Sequence, residues 1–150
     1  MTAARRVALV TGGSRGIGRA TALALARGGF DVAVNYREAR AAADEVVAEI
    51  RAAGPRAVAL QTDVGEATEA RGLVAGAVEH LGRLDMLVSN AGVIEKAGVL
   101  ELTEETWDRL FRVNVRGAFF CAQAAARHLA TSSASASPFT GTGPSDFTST

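Results

Sequence analysis

The chain of 150 residues has little of what staples, recruits or spans. Its single cysteine, Cys121, can form no intrachain disulfide, which fits a reducing compartment. Its two histidines, His80 and His128, stand apart with nothing like metal-ligand spacing, and no Gly-x-Ser-x-Gly elbow is present. Metal chemistry and serine hydrolysis are therefore not expected. There is no net charge, since 16 basic residues balance 16 acidic ones, and the nearest thing to a basic cluster is Arg5-Arg6. A nucleic-acid partner is excluded on those grounds. No apolar run approaches membrane-spanning length. Only a short apolar stretch follows Arg5-Arg6 before the first glycines, so no signal peptide is expected. A cytoplasmic globular domain, with a core of the size that nearly half apolar residues provide, is what remains.

What the sequence does have begins at Val7-Ala8-Leu9-Val10-Thr11-Gly12-Gly13-Ser14-Arg15-Gly16-Ile17-Gly18. A short apolar run reads as a buried strand, a glycine-rich turn follows, and an Ala/Leu-rich helix runs from about Gly16 to Arg27. Free backbone N–H groups and the positive end of the helix dipole converge there, which makes an anion site. Glycine lets a diphosphate approach the backbone closely. The spacing is Gly-x-x-x-Gly-x-Gly, which departs from the common Gly-x-Gly-x-x-Gly fingerprint.

The same alternation continues. Strands are expected at 31–36, 57–61 and 84–88, and helices at 38–53 and 66–81. The inward stripes are read as Ile17, Ala20, Thr21, Ala24 and Leu25 in the first helix, and Ala42, Val46, Val47 and Ile50 in the second. In the third they are Leu73, Val74, Ala77, Val78 and Leu81. A fourth helix opens at Thr103, its N-cap, with Glu104 and Glu105 in the first turn. Leu102 and Trp107 stand at the positions of a hydrophobic staple, and the helix is expected to reach about Ala130, with a kink. Four strand–helix repeats imply right-handed crossovers and a doubly wound parallel α/β sheet, Rossmann-like, in the order 3-2-1-4. Ligands in such sheets bind beyond the carboxyl ends of the strands, where the glycine loop, Asp63-Val64 and Asn90-Ala91-Gly92 all fall.

Thr-Gly-x-x-x-Gly-x-Gly at the first strand, with Ser89-Asn90-Ala91-Gly92 after the fourth and Asn114-Val115-Arg116-Gly117 in the fourth helix, resembles the short-chain dehydrogenase/reductase family. The likeness runs from about Arg5 to Ala130, the cofactor-binding half. In look it is nearest to NADPH-dependent 3-oxoacyl-thioester reductases. The resemblance implies hydride transfer between a nicotinamide cofactor and a ketone or secondary alcohol. It implies that Gly12, Ser14, Gly16, Ile17 and Gly18 hold the pyrophosphate. Asp63 and Val64 would then contact the adenine, and Asn90, Ala91 and Gly92 would line its adenosine side. Asn114 would hold a water in a proton relay. Read from the residues alone, Asp63 is in the first place a turn residue before a helix, and the alternative for Asn114 is a partly buried amide bonded to its own backbone. Strand two ends Asn35-Tyr36-Arg37 with no acid at its tip, and Arg15 stands in the loop. Two guanidinium groups without a carboxylate favour NADP(H) over NAD(H), although Glu38 lies close enough to turn toward a ribose.

The family's chemistry also needs a tyrosine, a lysine four residues later and an upstream serine. Here Tyr36 is the sole tyrosine and Lys96 the sole lysine, and they make no such pair. From Thr131 to Thr150 the chain is more than half Ser and Thr, with Asp146 its only charge. It reads as a polar, disordered tail after an incomplete domain of residues 1–130. The expectation is a truncated oxidoreductase that binds cofactor without turnover. A non-catalytic nucleotide-binding or interaction module is the alternative. An open edge at strand four and an uncovered apolar face on helix four also lead us to expect self-association. The family's full-length members are usually homo-oligomers.

Overall fold

The computed structural model describes residues 5–134. Four parallel strands form one sheet in the order β3-β2-β1-β4. They are β1 (Val7–Val10), β2 (Asp31–Tyr36), β3 (Ala57–Gln61) and β4 (Met86–Val88). Helices α1 (Gly16–Arg27), α2 (Arg40–Ala52) and α3 (Ala67–Leu81) cross between them. The doubly wound order expected from the alternation is the order observed.

Strands β1 and β2 are buried along their whole length, as expected of central parallel strands, whose two faces are both covered by helices. One core lies between the sheet and α1 and α2, built on Ala8, Val10, Val32, Val34, Val46 and Ile50. The other lies between the sheet and α3, built on Val7, Leu9, Ala33, Leu73, Val74, Ala77 and Leu84. Alternate residues of each strand therefore feed opposite cores.

Three details differ from the sequence reading. First, the inward face of α1 is Gly18, Ala22, Leu23 and Ala26, whereas Ile17 is 79% exposed. The stripe is rotated because Gly18 must face the loop before the helix. A Cβ there would stand 2.2 Å from the Gly12 carbonyl oxygen. Second, Ala43 and not Ala42 completes the buried face of α2, and Ala70 joins that of α3. Third, buried Leu84 and partly buried Asp85 precede β4 as a lead-in rather than as strand.

The fourth helix is three segments: α4 (Glu104–Phe111), a π-helical turn (Arg112–Gly117) and α5 (Ala118–Ala134). Thr103 caps α4 through its side-chain oxygen, which accepts from the Thr106 amide at 3.2 Å. Trp107 lies flat on Phe111, ring centroids 4.4 Å apart. The expected kink is the π-turn, and two contacts hold it. Gly117 comes so close to the Val64 carbonyl that a Cβ would lie 2.6 Å from its oxygen. Asn114 is tied to the loop after β4. α5 then packs on α3 with Cys121 buried between them, and burial alone pushes the Cys121 thiol up to about 11. The helix carries the first residues of the polar segment as far as Ala134; residues 135–150, the rest of that segment, lie outside the described residues. No helix of the described residues is long and apolar enough to cross a membrane.

Candidate functional site

Beyond the carboxyl ends of β1, β2, β3 and β4 the chain folds around a cleft of about 510 Å³, within the range of small-molecule sites. Its walls include Gly12, Ser14, Arg15, Ile17, Gly18, Arg37, Asp63, Val64, Asn90, Ala91 and Gly92. Four separate segments of the sequence reading are thus brought to one place. Gly16 is the exception among the expected binding residues, standing in the turn but off the cleft wall. Asn114 is also off the wall, directly behind Val93, which is on it.

The floor is a lattice of side-chain to backbone hydrogen bonds. Thr11, fully buried, accepts at Oγ1 from the amides of Asn90 and Ala91, both at 3.0 Å. The Asn90 amide nitrogen donates back to the carbonyls of Thr11 and Gly12 at 3.0 and 3.1 Å. The β1 loop and the β4 loop are therefore sewn together at their tips. Gly12 sits at φ 62° with a Cβ position 2.9 Å from the Ala91 Cα, so both its conformation and its crowding demand glycine.

The helix N-terminus faces this floor. Arg15, its N-cap, makes no side-chain capping bond, and the first turn of α1 holds no acid. The leading amides of any helix have no partner within it, so α1 offers uncompensated donors and a positive dipole end here. The fit to a dinucleotide diphosphate is good on this ground. The Gly18 position, where a Cβ would also lie 2.5 Å from the Asn90 amide nitrogen, keeps the approach close-packed and free of side chains.

Charge at the rim is distributed unevenly. Arg15 has no carboxylate partner among the described residues, whereas Arg37 is engaged by Glu38 at 2.5 Å. Both members of that pair are substantially exposed, so the bond between them is a weak restraint. Asp63 accepts from the Gly65 amide at 2.9 Å, the turn role open to it from sequence, and Arg112 stands 3.9 Å from its other oxygen. Asn114 accepts from the Val93 amide at 2.8 Å and donates to the Val93 carbonyl at 2.9 Å. Its side chain is thus bonded across to the β4 loop and not to its own helix, and the residue is exposed where a partly buried amide was expected.

Sequence reasoning quoted Thr11, Asn35 and Tyr36 in its motifs but gave them no role of their own in this site, and it passed over Ala39, Thr62, Val93 and Val113, which line the cleft. Asn35 and Tyr36 end β2 at the cleft, both buried. The available signal was Asn35 itself, a residue depleted in strands sitting inside an apolar one.

A parallel 3-2-1-4 sheet, with a glycine turn from β1 into an uncapped helix and a cleft over the strand ends, defines a Rossmann-like α/β domain. The model of the family described as short chain dehydrogenase matches residues 6–137, and the chain belongs to that family. It is 54% identical over 124 residues to an uncharacterized oxidoreductase of Methylorubrum extorquens, covering 83% of this chain and 50% of that protein. It is 49% identical over 124 residues to a probable tetrahydroxynaphthalene reductase of Zymoseptoria tritici, covering 83% of this chain and 46% of that protein. Among solved structures, a short-chain dehydrogenase of Burkholderia cenocepacia in complex with NADP matches with TM-score 0.81 and 46% identity, over 84% of this chain and 51% of that one. The chain spans about half the length of the curated relatives it matches.

Proposed function

We propose that this chain binds NADP(H) as the cofactor half of an oxidoreductase acting on ketones or secondary alcohols. The observation that carries the reading is the bare N-terminus of α1: no capping side chain, no acid, and a cleft in front of it walled by glycines. The backbone of Ser14, Ile17 and Gly18 holds the diphosphate, with Gly12 and Gly16 shaping the turn. Asp63 and Val64 receive the adenine, and Asn90, Ala91 and Gly92 line the adenosine side. Arg15 and Arg37 meet the 2′-phosphate, which a guanidinium pairs with in two-point fashion. A solved relative complexed with NADP and a relative named as a reductase both support this choice. When bound, the cofactor supplies or accepts a hydride at the substrate carbon.

The proton-transfer pair is not among these 150 residues. Tyr36 is buried in β2 and Lys96 lies in the loop after β4, so neither stands as the Tyr-x-x-x-Lys of the family. The 150 residues by themselves therefore bind nucleotide without reducing a carbonyl, and Asn114 fixes the loop at Val93 instead of completing a relay. Self-association through the apolar face of α4 and α5 belongs to the same reading.

A thermal unfolding scan with NADPH, with NADH and with neither tests it, because a ligand of the native state raises the melting point by mass action. The larger shift is expected with NADPH. Removing both guanidiniums, by Arg15→Ala with Arg37→Ala, should weaken NADPH binding roughly 10- to 100-fold, the loss of one or two charge-assisted hydrogen bonds. NADH binding should stay unchanged. An equal loss for both cofactors would mean the arginines do not read the phosphate.

A further inference from the structure

We propose that Asn35 is the positioning residue that preorganises the glycine loop for nucleotide. This rests on the cofactor reading above, but on atoms that reading does not use. Asn35 is 2% exposed at the tip of β2, among groups that must all be satisfied. Its side-chain oxygen accepts from the Gly12 amide at 3.1 Å, and its backbone carbonyl accepts from the next amide, Gly13, at 2.8 Å. Both leading glycines of the loop are therefore pinned to one residue. Its amide nitrogen faces the other way and donates to the carbonyls of Leu60 and Thr62, at 3.3 and 3.2 Å, on the tip of β3. One side chain thus clamps the exits of three strands around the cleft.

The amide is the only side chain of this size that serves here, because the site needs an acceptor toward Gly12 and a donor toward two carbonyls at once. An aspartate would keep the acceptor but turn a negative charge on the Leu60 and Thr62 oxygens. A leucine would leave the Gly12 amide and both carbonyls without partners. Holding Gly12 matters to the ligand because a Cβ at Gly12 would fall 2.9 Å from the Ala91 Cα, and one at Gly18 would fall 2.2 Å from the Gly12 carbonyl oxygen, so Gly12 sets the spacing of both loops around the seat. A loop released at Gly12 loses the shape of the diphosphate seat even where the fold survives.

Two measurements test this. In the nucleotide-free, unaltered chain, hydrogen exchange followed by NMR should find the Gly12 amide protected like a strand amide. Free exchange at loop rates would overturn the proposal without any variant. Asn35→Asp should then bind NADPH about tenfold more weakly or worse at neutral pH, measured where the variant is fully folded. Its affinity should recover as the pH falls, because the protonated carboxyl regains a donor. The sign follows from burial. The introduced acid has its folded-state pKa raised, so the benefit is present below the unfolded value and lost as pH rises through the folded one. Ile50→Val, destabilising but remote in the α2 core, should leave the affinity untouched. Affinity in Asn35→Asp equal to that of the unaltered chain across the pH range would overturn the role. If the unaltered chain binds neither NADPH nor NADH, the cofactor reading itself fails. The Gly12 amide keeps the two failures apart, since its protection reads the clamp alone.

Discussion

A single methyl group is the sharpest probe of the cleft. Gly18→Ala would place a Cβ 2.2 Å from the Gly12 carbonyl oxygen and 2.5 Å from the Asn90 amide nitrogen. Neither neighbour can yield, because the first is backbone and the second is held by two carbonyls of the β1 loop. Overpacking of this kind costs about 1–3 kcal/mol, so the variant should melt lower yet still fold. Its more telling effect is on the ligand. α1 must shift away from the loop, and the melting-point gain on adding NADPH should vanish. A variant that retains the full NADPH shift would show that the α1 N-terminus is not the diphosphate seat. At this scale the sequence was most legible where a residue type is forced by backbone crowding, as at Gly12 and Gly18. It was least legible where the role depends on partners distant in the chain. Asn35 meets carbonyls 25 and 27 residues away, and no local pattern announces them.

At the scale of elements, legibility followed contrast. The bounds of β1, β2 and β3 were readable to the residue because each centres on a short run of Val, Ala and Leu between polar or glycine punctuation. α1 is rich in Ala and Leu around its whole circumference, so its inward face could not be phased from apolar residues; the Gly18 contact decided it. A kink in the fourth helix was expected, but its form as a π-turn was beyond reach for a different reason. It exists because Gly117 and Asn114 are each fixed to other loops, a tertiary demand absent from the local sequence. The short β4 is likewise held by tertiary contacts, one of them made by a side chain. Asp85, just before it, accepts from the Val7 amide at 2.8 Å and from Arg83 at 2.6 Å. Burial works to raise the Asp85 carboxyl, but the hydrogen bond and charge of Arg83, the Val7 amide and the charge of Arg6 together hold it below the ordinary value. A depressed carboxyl contributes stability above its unfolded pKa, near 3.9, and that contribution is lost as pH falls through the folded value. Asp85→Asn should therefore cost about 0.5–1 kcal/mol near neutral pH, a modest figure because Arg83 is exposed. It should also flatten the loss of stability below about pH 4. Unfolding curves at several pH values check this; an acid limb identical in the variant would mean the Arg83–Asp85 contact adds nothing.

At the scale of the whole molecule, the described residues leave an apolar row on α4 and α5 uncovered. Trp107, Phe111, Val115 and Phe119 recur at intervals of four from α4 through the π-turn into α5, and all are 45–59% exposed. In a straight α-helix a row of such spacing drifts around the axis, because four residues exceed one turn of 3.6. The wider π-turn in the middle opposes that drift and keeps the row on one side. A groove lined by Phe111, Val115, Phe119 and Phe120, with Asp108, Arg112 and Arg116 at its sides, continues the same surface. Contiguous apolar area of this kind on a folded chain marks a contact surface or an aggregation risk. Charge offers little resistance, since the chain has no net charge to keep copies apart. Self-association that rises with protein concentration is therefore expected. Phe119→Asp, which sets a charge at the exposed centre of the row, should weaken it by roughly tenfold or more, about 1.4 kcal/mol in association. Because Phe119 is largely exposed in the single chain, the melting point at low concentration should hardly move. Sedimentation velocity across a concentration series reads both forms side by side. An unaltered chain that stays monomeric to its solubility limit would show that the row is merely exposed, and a Phe119→Asp variant that associates as strongly would move the contact to the free edge of β4.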